Sequence, residues 1–302
     1  MFKFFSTKSD NLIKLKRSNK YPTNDEFVYG YEAKPKISFI INHFVSFDTL
    51  IKTIKNLKKI KITNEIIIVN DTGKNTEKIF SYLNKNNDTI INTYNLGESN
   101  GYILASKISR ASDYILFSQD DDLAPSKDLW LRDTLKCFKK NKSIGLIGLN
   151  GGGIKEYKKD LTDFSKFKSN QTLFYCSWLK TGPLIFRKKV YDLMGGWERF
   201  ANVGESGHFD DIYATFKVWK YGYTACLLRN KNTLTWKRRV SRDDNLTKLD
   251  LKNLKNRKIT WELNKKKFLK KVKKKTLYSL ERKVITANSK IGYNISKTGR
   301  II

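Results

Sequence analysis

Apolar side chains enter this chain in short, nearly unbroken runs before they take up any wider spacing. Ile37–Asn42 (ISFIIN), Glu65–Asn70 (EIIIVN), Thr89–Tyr94 and Asp113–Ser118 (DYILFS) are each of strand length and rich in β-branched or aromatic residues. A run with no polar alternation predicts a strand covered on both faces. Between these runs the spacing widens to about one turn of helix: Leu50, Ile54 and Leu57 follow Asp48, which has the chemistry of an N-cap, and further helical stretches lie around Ile79–Leu83 and Gly101–Arg110. A fifth strand is expected over Ser143–Leu149. Strand and helix alternate, which predicts an α/β fold with a mainly parallel central sheet and helices on both faces. In such sheets ligands sit beyond the carboxyl ends of the strands, and here Asp71, Asn95 and Asp120–Asp122 each follow a strand directly.

The flanks differ from this centre. Residues 1–35 are polar and basic, with Pro22 and Pro35, and read as an arm leading into a domain over 36–247. The chain carries a net charge of +31, of which the last stretch, 248–302, holds +15 from 18 basic residues against three acids. There Lys265–Lys267 and Lys273–Lys275 interleave with Trp261, Phe268, Leu269, Val272, Leu277, Leu280 and Val284, the pattern of a basic amphipathic helix. Three partners suit it: an anionic membrane face, a nucleic-acid backbone, or the protein's own domain. The abundance of Lys, Asn and Ile fits an AT-rich coding sequence, which discounts part of the charge.

With 39% hydrophobic and 13% aromatic residues, the chain has the material for a core and is not wholly disordered. No apolar run approaches the roughly 18 to 20 residues that cross a bilayer, so no transmembrane helix is expected. The start, Met1–Phe5, turns polar before a signal-peptide core could form. Cys137, Cys176 and Cys226 are scattered without metal spacing, as in a reducing compartment. The expected location is cytoplasmic, with the basic tail as the route to a membrane surface.

Three successive Asp at the exit of an apolar strand repel one another unless a cation or hydrogen-bond donors offset them. In an extended chain Asp120 and Asp122 point to similar sides, which gives hard oxygen ligands suited to Mn²⁺ or Mg²⁺ on a diphosphate. The alternative is an acidic loop that caps a helix starting near Pro125–Ser126.

The blocks Ile37–Phe44, Glu65–Gly73 (EIIIVNDTG), Asn95-Leu96-Gly97, Phe117–Pro125 (FSQDDDLAP), Thr181–Arg187 (TGPLIFR), Met194–Trp197 (MGGW), His208–Ile212 (HFDDI) and Tyr221-Gly222-Tyr223, in this order, resemble glycosyltransferase family 2 of the GT-A fold. The resemblance covers about residues 36–240. It implies a Rossmann-like GT-A domain with a nucleotide-binding half over 36–125 and an acceptor-binding half over 126–247. It also implies transfer of a sugar, with inversion, from a nucleotide diphosphate sugar (a UDP-sugar as first expectation) to a glycan, lipid-linked or protein acceptor. Carried over position by position, Asp71 would contact the base, with Asn95 and Gly97 beside it. Asp120 would lie near the ribose or metal, Asp121 would contact the nucleotide sugar, and Asp122 would be the principal metal ligand, with Asp120 as the second. Asp211 would be the general base, with Asp210 as its understudy; partial burial beside Phe209 and a second acid favours a raised pKa for such a base. The competing reading of Asp210–Asp211 is an acid pair placed at a helix N-terminus by the macrodipole.

Other positions stay open. Trp197, after Gly196, offers an aromatic face to an acceptor sugar and equally suits a core. Gly151–Gly153 suit either a close approach to the donor sugar or a flexible loop, Arg187 suits a structural role, and His208 is a weak candidate ligand. The family usually has Pro-x-Tyr/Phe-Asn after the first strand, whereas this chain has Asn42-His43-Phe44-Val45, and Asn70 stands where a first acid is usual. Many relatives place a His where Thr235–Arg239 stands; Lys237 or Arg239 is the expected substitute cation for the diphosphate. A nucleotidyltransferase usually has a Gly-rich loop after its first strand, and Asn42–Asp48 contains no Gly. A basic nucleic-acid-binding protein accounts for the charge and leaves the acids at the strand ends unexplained.

Overall fold

A computed structural model describes residues 14–16, 34–84, 87–154, 162–164, 173–199, 209–238 and 262–293. The first half runs β1 (Lys14–Lys16), β2 (Ile37–His43), α1 (Phe47–Leu57), β3 (Asn64–Asn70), α2 (Thr76–Phe80), β4 (Thr89–Asn92), α3 (Glu98–Ile108) and β5 (Tyr114–Gln119). Then come β6 (Asp122–Leu123), α4 (Leu129–Lys140), β7 (Ile144–Gly148), β8 (Gly152–Ile154), β9 (Thr162–Asp163), β10 (Leu173–Tyr175), β11 (Trp178–Leu179) and β12 (Leu184–Arg187). The remainder is α5 (Lys188–Leu193), α6 (Asp210–Lys220), β13 (Thr224–Leu228), a 3-10 turn (Thr233–Thr235), β14 (Lys237–Arg238), helix α7 over 262–271 and α8 (Lys274–Ser289).

Nine strands form the main sheet in the order β1-β4-β3-β2-β5-β12-β7-β13-β10. The pairings set β2, β3, β4, β5, β7 and β13 in one direction, with β1, β10 and β12 opposed. Burial on both faces is visible residue by residue. Phe39 and Ile41 of β2 join Ile66 and Ile68 of β3 in one core, while Ile40, Ile67 and Val69 join the other. This is the period-two alternation of a pleated strand with apolar partners on each side. The continuous apolar runs therefore correspond to central strands.

Several boundaries differ from expectation. Helix α1 begins at Phe47 with Ser46 at the cap position, and Asp48 lies in the first turn, where an acid still meets the positive end of the helix. Gly152 and Gly153 belong to strand β8, paired with β11; a Cβ on Gly152 would collide with Leu179, so this stretch is a packed strand and not a flexible loop. Strand β12 inserts antiparallel between β5 and β7, carrying Arg187 into a buried site. There Arg187 donates to the carbonyls of Ile144 (2.7 Å), Asn141 (3.1 Å) and Phe138, a structural role.

The C-terminal helices pack onto the domain. Phe268, Val272, Leu277, Leu280 and Val284 are all buried in the same core as Phe117 and Phe186. Of the three partners open for this stripe, the protein's own domain is the one that covers these five side chains. Asn288 of α8 completes the sheet edge: its side chain accepts from the Tyr175 N–H and donates to the Tyr175 carbonyl, both at 2.9 Å, standing in for a neighbouring strand on β10. No described helix is long and apolar enough to cross a membrane. Trp261 and most of the 1–35 arm lie outside the described residues.

Candidate active site

The strand order reverses at β2: β3 and β4 follow on one side, and β5 returns on the other. That reversal opens a crevice beyond the carboxyl ends of β2 and β5. Asp120, directly after β5, reaches across it. Its Oδ2 accepts from His43 Nδ1 (2.9 Å) and from the backbone N–H groups of Phe44 (2.9 Å), Val45 (2.7 Å) and Ser46 (2.7 Å). Burial alone would raise the Asp120 pKa, but the His43 hydrogen bond and charge, together with the amides of Phe44 and Ser46, outweigh it. The carboxyl is held below its usual range. Asp120 therefore fixes the turn after β2, and His43, absent from the sequence candidates, is its partner. The oxygen engaged in this way is withdrawn from the pair of metal ligands expected at Asp120 and Asp122.

Asp71 is placed similarly at the end of β3. Its carboxylate accepts from Thr93 Oγ1 (2.7 Å), Leu96 N–H (2.6 Å) and Gly97 N–H (2.9 Å), and its backbone carbonyl accepts from Asn95 N–H (2.9 Å). Asn95 and Gly97 both have positive φ, 54° and 86°, so this turn into α3 has a shape that Asn and Gly tolerate best. The structure brings Asp71, Asn95 and Gly97 together, with the acid facing the turn.

The remaining acids gather on the other side of the crevice. Asp122 is buried, and its Oδ2 accepts from Gln119 N–H (3.0 Å) and Ser118 Oγ (3.3 Å). Gln119 in turn donates from Nε2 to Glu98 of α3 (2.6 Å). Burial pushes the Tyr102 phenol well above its ordinary pKa, and the charges of Glu98, Asp122 and Asp121 push it further, so three acids act on one point. Gly182, with φ of 90°, lies directly against Asp122; a Cβ there would collide with the carboxylate. One residue earlier, Thr181 donates from its N–H (3.3 Å) to Asp211 Oδ2, with its hydroxyl at 3.5 Å from the same oxygen. Thr181-Gly182 is thus a short bridge with the metal-ligand candidate on one side and the general-base candidate on the other. The bridge sits there because β12, running antiparallel, starts at the carboxyl end of β5, with Leu184 opposite Phe117.

Asp210 and Asp211 open helix α6 after Phe209, whose φ is 70°. Asp210 is buried and accepts from Ser99 Oγ in the first turn of α3. Asp211 is half-buried and stays nearer the surface of the crevice. Phe209 packs against Phe268 of α7 with ring centroids 5.6 Å apart, so the C-terminal extension supports the base of the acid pair.

Strand β14 pairs antiparallel with β6, Lys237 opposite Leu123 and Arg238 opposite Asp122. The expected cation, Lys237, is exposed and shares the face of Leu123, so in this register the position paired with Asp122 is Arg238 and not Lys237. Arg239 and His208 lie outside the described residues. Trp197 is a correction: it is 5% exposed, packed between Tyr102 (5.4 Å) and Phe117 (5.3 Å), and forms core rather than an acceptor platform. Gly196 lies in the turn after α5, its carbonyl accepting from Lys217 Nζ (2.8 Å).

Among the described residues no group of three or more His, Cys, Asp or Glu side chains is gathered as a metal site. Asp122 is a carboxylate of the hard-oxygen type that divalent ions take, buried just past the end of β5 against Gly182. Ser99, Glu98 and Thr181 were not legible as site residues. Their signals were present, as a helix start directly after Asn95-Leu96-Gly97 and a Thr-Gly-Pro before a strand.

The family model described as Glycosyl transferase family 2 matches residues 38–193, just over half of the chain. No curated protein matches. Among solved structures, the chain is similar to the inositol-1-phosphate CTP transferase from T. maritima, with 12% identity and a TM-score of 0.39, over 66% of this chain and 86% of that one. It is also similar to 4-diphosphocytidyl-2C-methyl-D-erythritolsynthase from Anaerococcus prevotii DSM 20548, with 15% identity and a TM-score of 0.42, over 68% and 94%. A mycobacterial protein matches with 10% identity and a TM-score of 0.43, over 71% and 74%.

Proposed function

Since the chain belongs to glycosyl transferase family 2, we propose that it moves a sugar from a nucleotide diphosphate sugar to a hydroxyl of a glycan, lipid-linked or protein acceptor, with inversion. The observation that supports this reading is the meeting of Asp122 and Asp211 on the Thr181-Gly182 bridge. Inverting displacement needs a base on one face of the anomeric carbon and charge compensation on the other. Asp211 takes the proton of the acceptor hydroxyl as its oxygen bonds to the anomeric carbon. The bond to the diphosphate breaks, and the electron pair leaves on the phosphate oxygen.

Asp122 would hold Mn²⁺ or Mg²⁺, which supplies positive charge for the leaving diphosphate when bound. Asp120 and Asp71 act through backbone: they hold the turns after β2 and before α3 against which a nucleoside would rest. Asp210 anchors α6 to α3 through Ser99 and leaves Asp211 to face the acceptor.

The test is the melting temperature of the protein with UDP, GDP, dTDP, CDP or CMP, each with and without Mn²⁺, repeated on Asp122→Asn. Ligand bound to the native state alone raises the midpoint. One nucleoside diphosphate should stabilise the wild type in a metal-dependent way and leave Asp122→Asn unaffected. If no nucleotide shifts the wild type under either condition, the donor-site reading fails.

A further inference from the structure

We propose that the outer face of α7 and α8 docks onto an anionic lipid bilayer. Between residues 262 and 293, ten Lys or Arg are exposed, one of which, Lys271, pairs with Glu198 of the domain, and the single exposed acid in this stretch is Glu262. The 16-residue α8 spreads its share of them over a length of about 24 Å. Two large apolar side chains also remain outside. Leu263 is 50% exposed and stands one turn before Lys266 and Lys267; Tyr278 is 39% exposed, between Lys274 and Lys275 on one side and Arg282 on the other. Both therefore share a helix face with the cations.

The buried stripe decides how such docking works. Phe268, Val272, Leu277, Leu280 and Val284 are committed to the protein core, so the helices cannot roll their apolar side into lipid. What they present is a field of cations with two shallow anchors, the pattern of a polybasic surface held at anionic headgroups. Nine of the ten exposed cations are Lys, compact point charges suited to a diffuse negative surface, whereas Arg is the residue for bidentate reading of phosphates. One exposed aromatic gives no row of stacking platforms for nucleic-acid bases. A bilayer fits these features better than RNA or DNA. The docking is independent of the proposed chemistry, although the Phe268–Phe209 contact would bring the Asp210–Asp211 pair close to that surface.

The experiment is sedimentation of the full chain with vesicles of phosphatidylcholine alone, or with about one third phosphatidylserine, at low and high salt. Binding should require phosphatidylserine and fall about tenfold or more at high salt. The triple variant Lys270→Glu/Lys274→Glu/Lys275→Glu should lose binding by a similar factor with an unchanged melting temperature. A control triple reversal at Lys139, Lys140 and Lys142, exposed at and just beyond the end of α4, should retain it. Tyr278→Ser should weaken it a few-fold. The proposal is overturned if neutral vesicles bind equally, if neither vesicle binds, or if the control reversal is as damaging as the α7–α8 reversal. It is also overturned if single-stranded RNA at the same salt binds more tightly than the anionic vesicles and is lost in the same variant.

Discussion

Two pairs of carboxylates stand at the same edge of one sheet and do different things. Asp71 and Asp120 spend their oxygens on backbone N–H groups and nearby side chains: Asp71 takes three donors and Asp120 takes four on one oxygen. Asp122 and Asp211 lie on the two sides of the Thr181-Gly182 bridge: Asp122 Oδ2 accepts from Gln119 N–H and Ser118 Oγ at 3.0 and 3.3 Å, and Asp211 accepts from Thr181 at 3.3–3.5 Å and from the Ile212 N–H at 2.7 Å. Asp71 and Asp120 are thus anchors of the turns at their strand ends, whereas Asp122 and Asp211 meet across a bridge between β5, β12 and the start of α6.

Substitutions should expose that contrast. Asp211→Asn is expected to lower kcat by about 10³-fold while donor-induced stabilisation stays within two-fold of wild type. A variant that instead loses donor binding with kcat intact would move Asp211 into the anchor class. The acid pair also depends on α7: Phe268→Ala should destabilise the protein by about 4 kcal/mol in denaturant titration and depress kcat. Phe268→Leu, which keeps most of the volume, should recover most of both, and full activity in Phe268→Ala would detach the extension from the site.

Asp120→Ala should behave oppositely to Asp211→Asn, costing about 3 kcal/mol because buried N–H groups lose their acceptor. Unchanged stability would break the comparison. The pH dependence follows from the same bond. The folded-state pKa of Asp120 lies below its ordinary 3.8, so its stabilising contribution is present above that value and is lost as pH falls through the lower folded value. Denaturant midpoints measured from neutral pH downward should therefore show a steeper acid loss in wild type than in Asp120→Asn. The smallest effect is expected at Asn288→Ala, about 2 kcal/mol, with exposure of the β10 edge read out as faster aggregation.

Much of the first half could be read from the chain. Ile37–Asn42 and Glu65–Asn70 became β2 and β3 almost unchanged, because a strand buried on both faces leaves a contiguous apolar run in the sequence. Less was legible after Asp122. Leu184–Arg187 is too short for its period to distinguish a central antiparallel strand from a loop, yet its direction is what sets Thr181-Gly182 between the acids. Trp197 had equal claims to core and cleft, and only the rings of Tyr102 and Phe117 around it resolved them.

The sequence by itself determined the alternation of strands and helices, the placing of acids after strands, and the family, because each is written in contiguous residues and local spacing. Tertiary structure alone decided which acids anchor turns and which come together at the Thr181-Gly182 bridge, and which side of the basic tail is available. Those depend on donors and apolar neighbours distant in the chain, such as His43 for Asp120, Thr181 for Asp211 and Phe209 for Phe268. A hydrogen bond or a buried contact is made in space, and no local pattern records its partner.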